Sequence, residues 1–449
     1  MKVIEKSTVT VIGGGLAGVE ATWQLLRLGC RVKLYEMRSK VTTPAHKTSD
    51  LAELVCSNSF KSLDPNIASG QLKNEMTAFQ SLILQAANIA KVPADKALAV
   101  DRKVFSQELM KTLSDHPNFT LLREEVKDIP SEKDLSDRNE YIVLATGPLT
   151  SESLSHSLSN LIGDEKHLAF YDAIAPIVDC DSIDMNACFW GNRHDENGAD
   201  YLNIALNKEE YLSFVKNIIE AKKTPLHSFE KIKYFESCLP LEVLAERGVD
   251  TLRFGPLKPK GFTDPRTGVM AYANIQLRRE DKRKAMLSFV GFQTKMTWPE
   301  QKRVFSSLPG LKNLEFFRYG SVHRNTYLPS PKLLADDFSF LTNRRVFPAG
   351  QIVGVEGYLE SASIGLLVGQ IIAGKINQRK FQLPPQETVL GALSHYVLKG
   401  STGEFSPMNA NWGLVPFSAP KKMKKNEKRA LQSSQVQSSF TSYLKACCL

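Results

Sequence analysis

Two cysteines, a glycine-rich turn and a His-Arg-Asn triplet are the residues whose types and spacing could do chemistry. Cys238 stands in "KYFESCLPLE", between Glu236 and Glu242, with Pro240 two positions on. Pro240 disfavours a helix through the cysteine and predicts an extended loop. Cys56 stands in "ELVCSNS", among small polar residues. A cysteine in such surroundings is either a small buried hydrophobe or, as the thiolate, a nucleophile. The stretch from Val9 to Glu36 carries a different chemistry. Gly13, Gly14 and Gly15 follow an apolar run, Leu16, Ala17 and Gly18 open a helical segment, and a second apolar run closes on Glu36. That order suits the pyrophosphate of a dinucleotide. Gly13 permits the tight turn, Gly15 lets the backbone approach the phosphates, and Gly18 lets the helix lie close on the sheet. The helix N-terminus offers N–H groups to the phosphates, and Glu36 is placed to accept hydrogen bonds from a ribose diol. His323, Arg324 and Asn325 follow a glycine turn between aromatic flanks, which suits a planar ligand or a structural histidine.

These residues need supports. Thr8–Ile12, the helical segment and the strand ending at Glu36 make one βαβ unit. "YIVLATG" from Tyr141 to Gly147 reads as a buried strand that turns on its glycine. Val346 and Phe347 lead into Gly350 and Gln351, ahead of a small-residue helix over Ser361–Ala373. Helical spacing also marks Gln71–Ile89 and Lys103–Leu113. From Pro176 to Gly320 the βαβ period stops. The expected architecture is α/β: a discontinuous dinucleotide-binding domain (1–175 and 325–420) with an inserted α+β domain (176–324). Residues 421–449, basic and then Ser/Gln-rich, read as a disordered tail.

At 449 residues, 42% hydrophobic and 23% charged, with mean hydropathy −0.22, the chain is globular in composition. Its apolar runs fall short of a membrane span, and the first strand leaves no room for a signal peptide. Seven cysteines without a CxxC pair predict reduced thiols, a cytoplasmic setting and no metal site. A net charge of +9 is compatible with a polyanionic partner and does not identify one.

Together "VIGGGLAGVEA", "LVCSNSFKS", "LATGPLTS", "FYDAIAPIV", "FESCLPLE", "TLRFGPLKPKG", "YGSVHRNTYL" and "PAGQIVGVEGYLESASIG" resemble the TrmFO family. Its members are folate- and FAD-dependent tRNA (uracil-5-)-methyltransferases, and the resemblance runs from about Val9 to about Gly413. It implies a two-dinucleotide-binding Rossmann-like FAD domain, with FAD held by Gly13, Gly14, Gly15, Leu16, Ala17, Gly18, Glu36, Gly147, Gly350 and Gln351. It implies methylenetetrahydrofolate as carbon donor, NAD(P)H as reductant and the T-loop uridine of tRNA as substrate. Cys238 is then the expected nucleophile and Cys56 its helper. His323, Arg324 and Asn325 would face the folate. Arg253, Lys258, Lys260, Arg278 and Arg279 are candidates for the RNA backbone. A monomer or weak dimer with no membrane contact is expected. Three readings compete: the same chemistry on ribosomal RNA, an FAD-dependent NAD(P)H oxidoreductase without RNA, and a non-catalytic flavin module. The related MnmG type carries a long helical C-terminal domain, whereas about a hundred residues follow Gly350 here.

Overall fold

The computed structural model describes residues 7–43, 45–163, 168–193, 195, 198–224, 239–264, 267–281, 285–400, 405–418 and 423–447, without the side chains of 168–174, 321–326 and 425. Alternating apolar residues build its first sheet. Five parallel strands run in the order Val346–Pro348, Tyr141–Leu144, Thr8–Ile12, Arg31–Tyr35, Phe119–Leu122. Both ends of the chain therefore contribute to one sheet. Val9, Val11, Val32, Leu34, Val143, Leu144, Val346 and Phe347 are buried in its core, as expected of a parallel sheet covered by helices.

Two helices set the geometry around the first strand. Leu16–Arg27 follows the glycine turn, and Tyr358–Ile376 lies against it. The contact is backbone-close: a Cβ on Gly365 would stand 2.2 Å from the Ala17 carbonyl oxygen. Tyr358–Ile376 has the length and apolarity to cross a membrane, yet it is almost wholly buried in this core. It begins three residues before the expected Ser361, because Gly357, at φ 114°, lets the chain turn directly into it.

The predicted helix over Gln71–Ile89 is two helices, Ala68–Ala78 and Leu82–Ile89. Gln80 adopts φ 54°, and the Ser81 hydroxyl accepts the Leu84 N–H at the new N-terminus. Buried Glu20 holds the break by accepting from the Ser81 hydroxyl at 2.7 Å and the Ile83 N–H at 3.0 Å.

The middle of the chain forms a six-stranded antiparallel sheet with its own apolar core. Its strand order is Phe189–Gly191, Tyr201–Leu206, Ala273–Arg279, Met286–Phe289, Ile177–Asp179, Phe316–Arg318. The chain enters and leaves by an antiparallel ribbon of Leu168–Ile174 and Ser321–Tyr327.

One expectation is overturned at the C-terminus. Lys425–Cys447 is a continuous helix, not a disordered stretch. Val436, Phe440 and Tyr443 recur at helical spacing and are buried. Phe440 and Tyr443 lie 6.2 and 6.5 Å, centroid to centroid, from Phe79. The polar composition concealed this stripe.

Candidate active site

The first strand ends at Gly13, whose N–H donates to the Tyr35 carbonyl at 2.8 Å. Gly13 has φ 104°, and a Cβ there would stand 2.4 Å from the Ala145 carbonyl oxygen. No side chain fits at this turn. Gly15, the N-cap of the next helix, has nothing within 4 Å of its Cβ position, so the backbone there faces open space. No side chain caps the helix, and its first turn has no acid, which leaves its N–H groups for an anion.

A cleft of about 1040 Å³, partly open to solvent, begins at this turn. Gly13, Gly14, Gly15, Leu16, Ala17, Glu36, Gly147, Gly350 and Gln351 all line it. Gly18 does not: its Cβ position lies 1.9 Å from the Gly13 carbonyl oxygen, so it serves the packing of helix on turn. Tyr358 and Ser361, from the first turn of the second helix, line the same cleft. Two helix N-termini thus border one cavity, an arrangement suited to a dinucleotide's phosphates.

Glu36 is buried and already engaged. Its carboxylate accepts the Gly14 N–H at 2.9 Å and the Arg38 N–H and Nε–H at 3.0 and 2.9 Å. Burial opposes its charge, but the hydrogen bonds and positive charge of Arg38 outweigh burial and hold the carboxyl below its usual range. Ionised, it offers acceptors only, which suits a diol. Arg38, not anticipated from the sequence, also pairs with Glu53 at 3.1 Å. The donor-rich turns and this ionised acceptor fit FAD: the glycine turn would hold the pyrophosphate and Glu36 the ribose.

Cys56 lines the cleft as well. Among the described residues, the hydrogen bonds that fix it reach its peptide groups. The Tyr358 hydroxyl accepts the N–H of Cys56 at 2.7 Å and of Ser57 at 3.2 Å. Burial first, and then the neighbouring cysteine, push the Tyr358 phenol well above its ordinary value, so it stays neutral. From the inserted domain, Arg318 donates to the Val55 carbonyl at 2.6 Å and to the Cys56 carbonyl at 2.9 Å. Next to them Asn58 donates to the carbonyls of Val100 and Arg279, both at 2.9 Å, and accepts from Arg278 at 2.8 Å. Arg102 pairs with buried Glu280 at 2.7 Å. The segment around Cys56 is the polar seam between the two sheets.

Other expected site residues fall elsewhere. Cys238 lies outside the described residues; Leu239 beside it is buried, and Pro240 begins the helix Leu241–Glu246. His323, Arg324 and Asn325 run in the connecting ribbon opposite Asp172, Tyr171 and Phe170, and their side chains lie outside the description. Arg278 and Arg279 are corrected. Both are buried, Arg278 on Asn58 and Arg279 on the Ala199 carbonyl and over the Trp190 ring at 4.5 Å, so neither faces an RNA backbone. Arg253 is half-buried over the Tyr272 ring at 3.7 Å and donates to the Tyr272 carbonyl. Lys258 and Lys260 are exposed. Neither Tyr358 nor Arg318 was expected at the site; Tyr358 sits inside "PAGQIVGVEGYLESASIG" and Arg318 directly precedes "YGSVHRNTYL".

The family model described as "Glucose inhibited division protein A" matches residues 8–380. A Syntrophus aciditrophicus protein named methylenetetrahydrofolate–tRNA-(uracil-5-)-methyltransferase TrmFO is 48% identical over 436 residues, 96% of this chain and 97% of that protein. The Aquifex aeolicus protein of the same name is 48% identical over 441 residues, 98% of this chain and 97% of that protein. The solved structure of Aquifex aeolicus GidA in its form I crystal aligns with TM-score 0.68 at 16% identity, over 98% of this chain and 76% of that chain. At that identity it speaks for the fold alone, a GidA-like α/β fold. By model and by relatives alike, this chain belongs to the TrmFO branch of the glucose-inhibited division protein A family.

Proposed function

We propose that this protein binds FAD in the glycine-lined cleft and methylates carbon 5 of the T-loop uridine of tRNA. Methylenetetrahydrofolate supplies the carbon and NAD(P)H the electrons. The observation that carries the reading is the presence of Cys56 in the same cleft as Gly13, Gly15, Gly350 and Gln351. A plain FAD-dependent NAD(P)H oxidoreductase would leave this thiol unexplained, whereas alkylation of uracil uses one. Carbon 5 of uracil is a weak nucleophile. Addition of a cysteine sulfur to carbon 6 makes carbon 5 enolate-like, able to bond to an electrophilic methylene. Loss of the carbon 5 proton then expels the amine nitrogen that carried the methylene, leaving an exocyclic methylene; a hydride adds to it as the sulfur leaves carbon 6, giving the methyl. When bound, the flavin supplies the redox chemistry of that last stage.

In this scheme Cys238 is the sulfur nucleophile and Cys56 takes the carbon 5 proton or handles the methylene. Tyr358 and Arg318 hold the Cys56 peptide in place. The uridine leaves its folded loop to enter the cleft. His323, Arg324 and Asn325 are assigned to the folate. The test is mass mapping of 5-methyluridine in tRNA and ribosomal RNA from cells with and without this protein. Loss of the T-loop modification alone supports the proposal. Loss confined to ribosomal RNA moves the substrate, and no loss refutes methylation.

A further inference from the structure

The basic stretch near the C-terminus has no part in the site above, yet the fold ties it to that site. The strap from Met408 to Phe417 starts against the helix whose first turn borders the cleft. The Glu356 N–H donates to the Met408 carbonyl at 2.8 Å, and the Ala410 N–H donates to Glu360, in the first turn of the Tyr358 helix, at 2.9 Å. The strap then runs to the C-terminal helix, where Gln432 donates to the Trp412 carbonyl at 3.2 Å. Between strap and helix lies a groove of about 970 Å³, open to solvent, lined by Trp412, Phe417, Lys428, Arg429 and Gln432 among others. A second groove of about 550 Å³ continues from it, sharing Val415, Pro416, Phe417 and Gln432.

Lys428 and Arg429 line the larger groove, and its continuation also carries Glu387. Lys424, Lys428 and Arg429 are exposed. Lys428 and Arg429 enter no ion pair among the described residues, and the Lys428 ammonium sits 5.9 Å from the centroid of the Phe417 ring. Glu427, the nearby acid, accepts the Lys424 N–H at 3.2 Å. The apolar side of the helix is consumed inside the protein, with Val436, Phe440 and Tyr443 buried. Nothing is left on this helix to enter a lipid layer. It offers cations and an aromatic edge beside an elongated channel between the helix and the strap.

We propose that this groove takes the phosphate backbone of the RNA substrate, away from the reacting uridine. The proposal rests on the function proposed above. Lys428 and Arg429 make the phosphate contacts, and the shape of the channel fixes which arm of the folded RNA lies there. Such contacts position the RNA without reading its sequence.

The test measures binding of an unmodified tRNA transcript by fluorescence anisotropy across a series of salt concentrations. The proteins are the wild type, Lys428→Glu/Arg429→Glu, Lys428→Ala/Arg429→Ala and Lys445→Glu. Alanine is a strong helix former, so the second double variant separates lost charge from a lost helix, with circular dichroism as the check. Expected for both double variants is an affinity loss of about tenfold or more, and a slope of log K against log salt shallower by about 2. Lys445→Glu, at the far end of the helix, binds as the wild type does. The proposal is overturned if both double variants keep wild-type affinity and slope, or if Lys445→Glu loses as much as they do. A wild type that methylates tRNA while the double variants bind normally overturns only this surface. A wild type that neither binds tRNA nor makes 5-methyluridine overturns the proposed function and this surface with it.

Discussion

Replacing Arg318 by methionine tests how the Cys56 segment is held. The guanidinium donates to three carbonyls, Val55 at 2.6 Å, Cys56 at 2.9 Å and Ala175 at 3.3 Å. A hydrogen bond to a charged donor contributes about 1.5–3 kcal/mol, so the two short bonds together bring roughly 3–6 kcal/mol. Part of this is offset in the wild type. Burial, and then the like charge of Arg102, push the Arg318 guanidinium below its ordinary value, so methionine also relieves a buried charge. The net expectation is a loss of about 3 kcal/mol in the order of the segment, at roughly 1.4 kcal/mol per tenfold. If that order is needed at the transition state, kcat/KM for tRNA falls on the order of a hundredfold while flavin stays bound, since Gly13, Gly15 and Glu36 are untouched. The assay pairs 5-methyluridine formation on a transcript with the flavin-to-protein ratio and a urea unfolding midpoint. Turnover within about twofold of wild type, with an unchanged midpoint, would show that Arg318 does not fix the loop.

Three further outcomes are expected. Gly13→Ala places a side chain at φ 104° with its Cβ 2.4 Å from the Ala145 carbonyl oxygen, and the purified variant should lack flavin absorbance; a flavin-loaded variant refutes the role of the turn. Cys238→Ala should form no covalent adduct with 5-fluorouridine-containing tRNA, read by mass shift on a denaturing gel; a full yield of adduct transfers the nucleophile to another residue. Glu75 accepts the Val389 and Leu390 N–H groups at 3.0 and 2.7 Å, and burial raises its carboxyl to about 7. A raised folded-state value favours folding at low pH, fully below the unfolded value near 4.5, and that contribution fades as pH rises through 7. Wild type should therefore lose on the order of 3 kcal/mol relative to Glu75→Gln between pH 4.5 and 8. A pH-independent difference between their urea midpoints contradicts this.

What was legible in the sequence was local. The glycine turn, its flanking strands and Glu36 lie within 28 consecutive residues, Val9 to Glu36, and each residue type there answers to a backbone demand. The residues that grip Cys56 were not legible. Tyr358 lies 302 positions from it and Arg318 262 positions, and neither has a spacing that announces the contact. Arg278 and Arg279 misled because paired arginines at a strand end look solvent-facing. Their strand, Ala273–Arg279, is in fact buried along its whole length by the neighbouring domain and sheet. The C-terminal helix misled in the opposite direction. Its few apolar residues, Val436, Phe440 and Tyr443, carry the 3.6-residue period, but serine and glutamine diluted it below notice.

The seam itself explains why the sulfur sits where it does. Each domain has its own apolar core, and the groups joining them at Cys56 are polar: Asn58, Arg102, Arg278, Glu280 and Arg318. Here Tyr358 takes the peptide N–H from one domain and Arg318 the peptide carbonyl from the other, so the backbone is fixed from both sides without calling on the thiol. Its position therefore depends on both domains being in register.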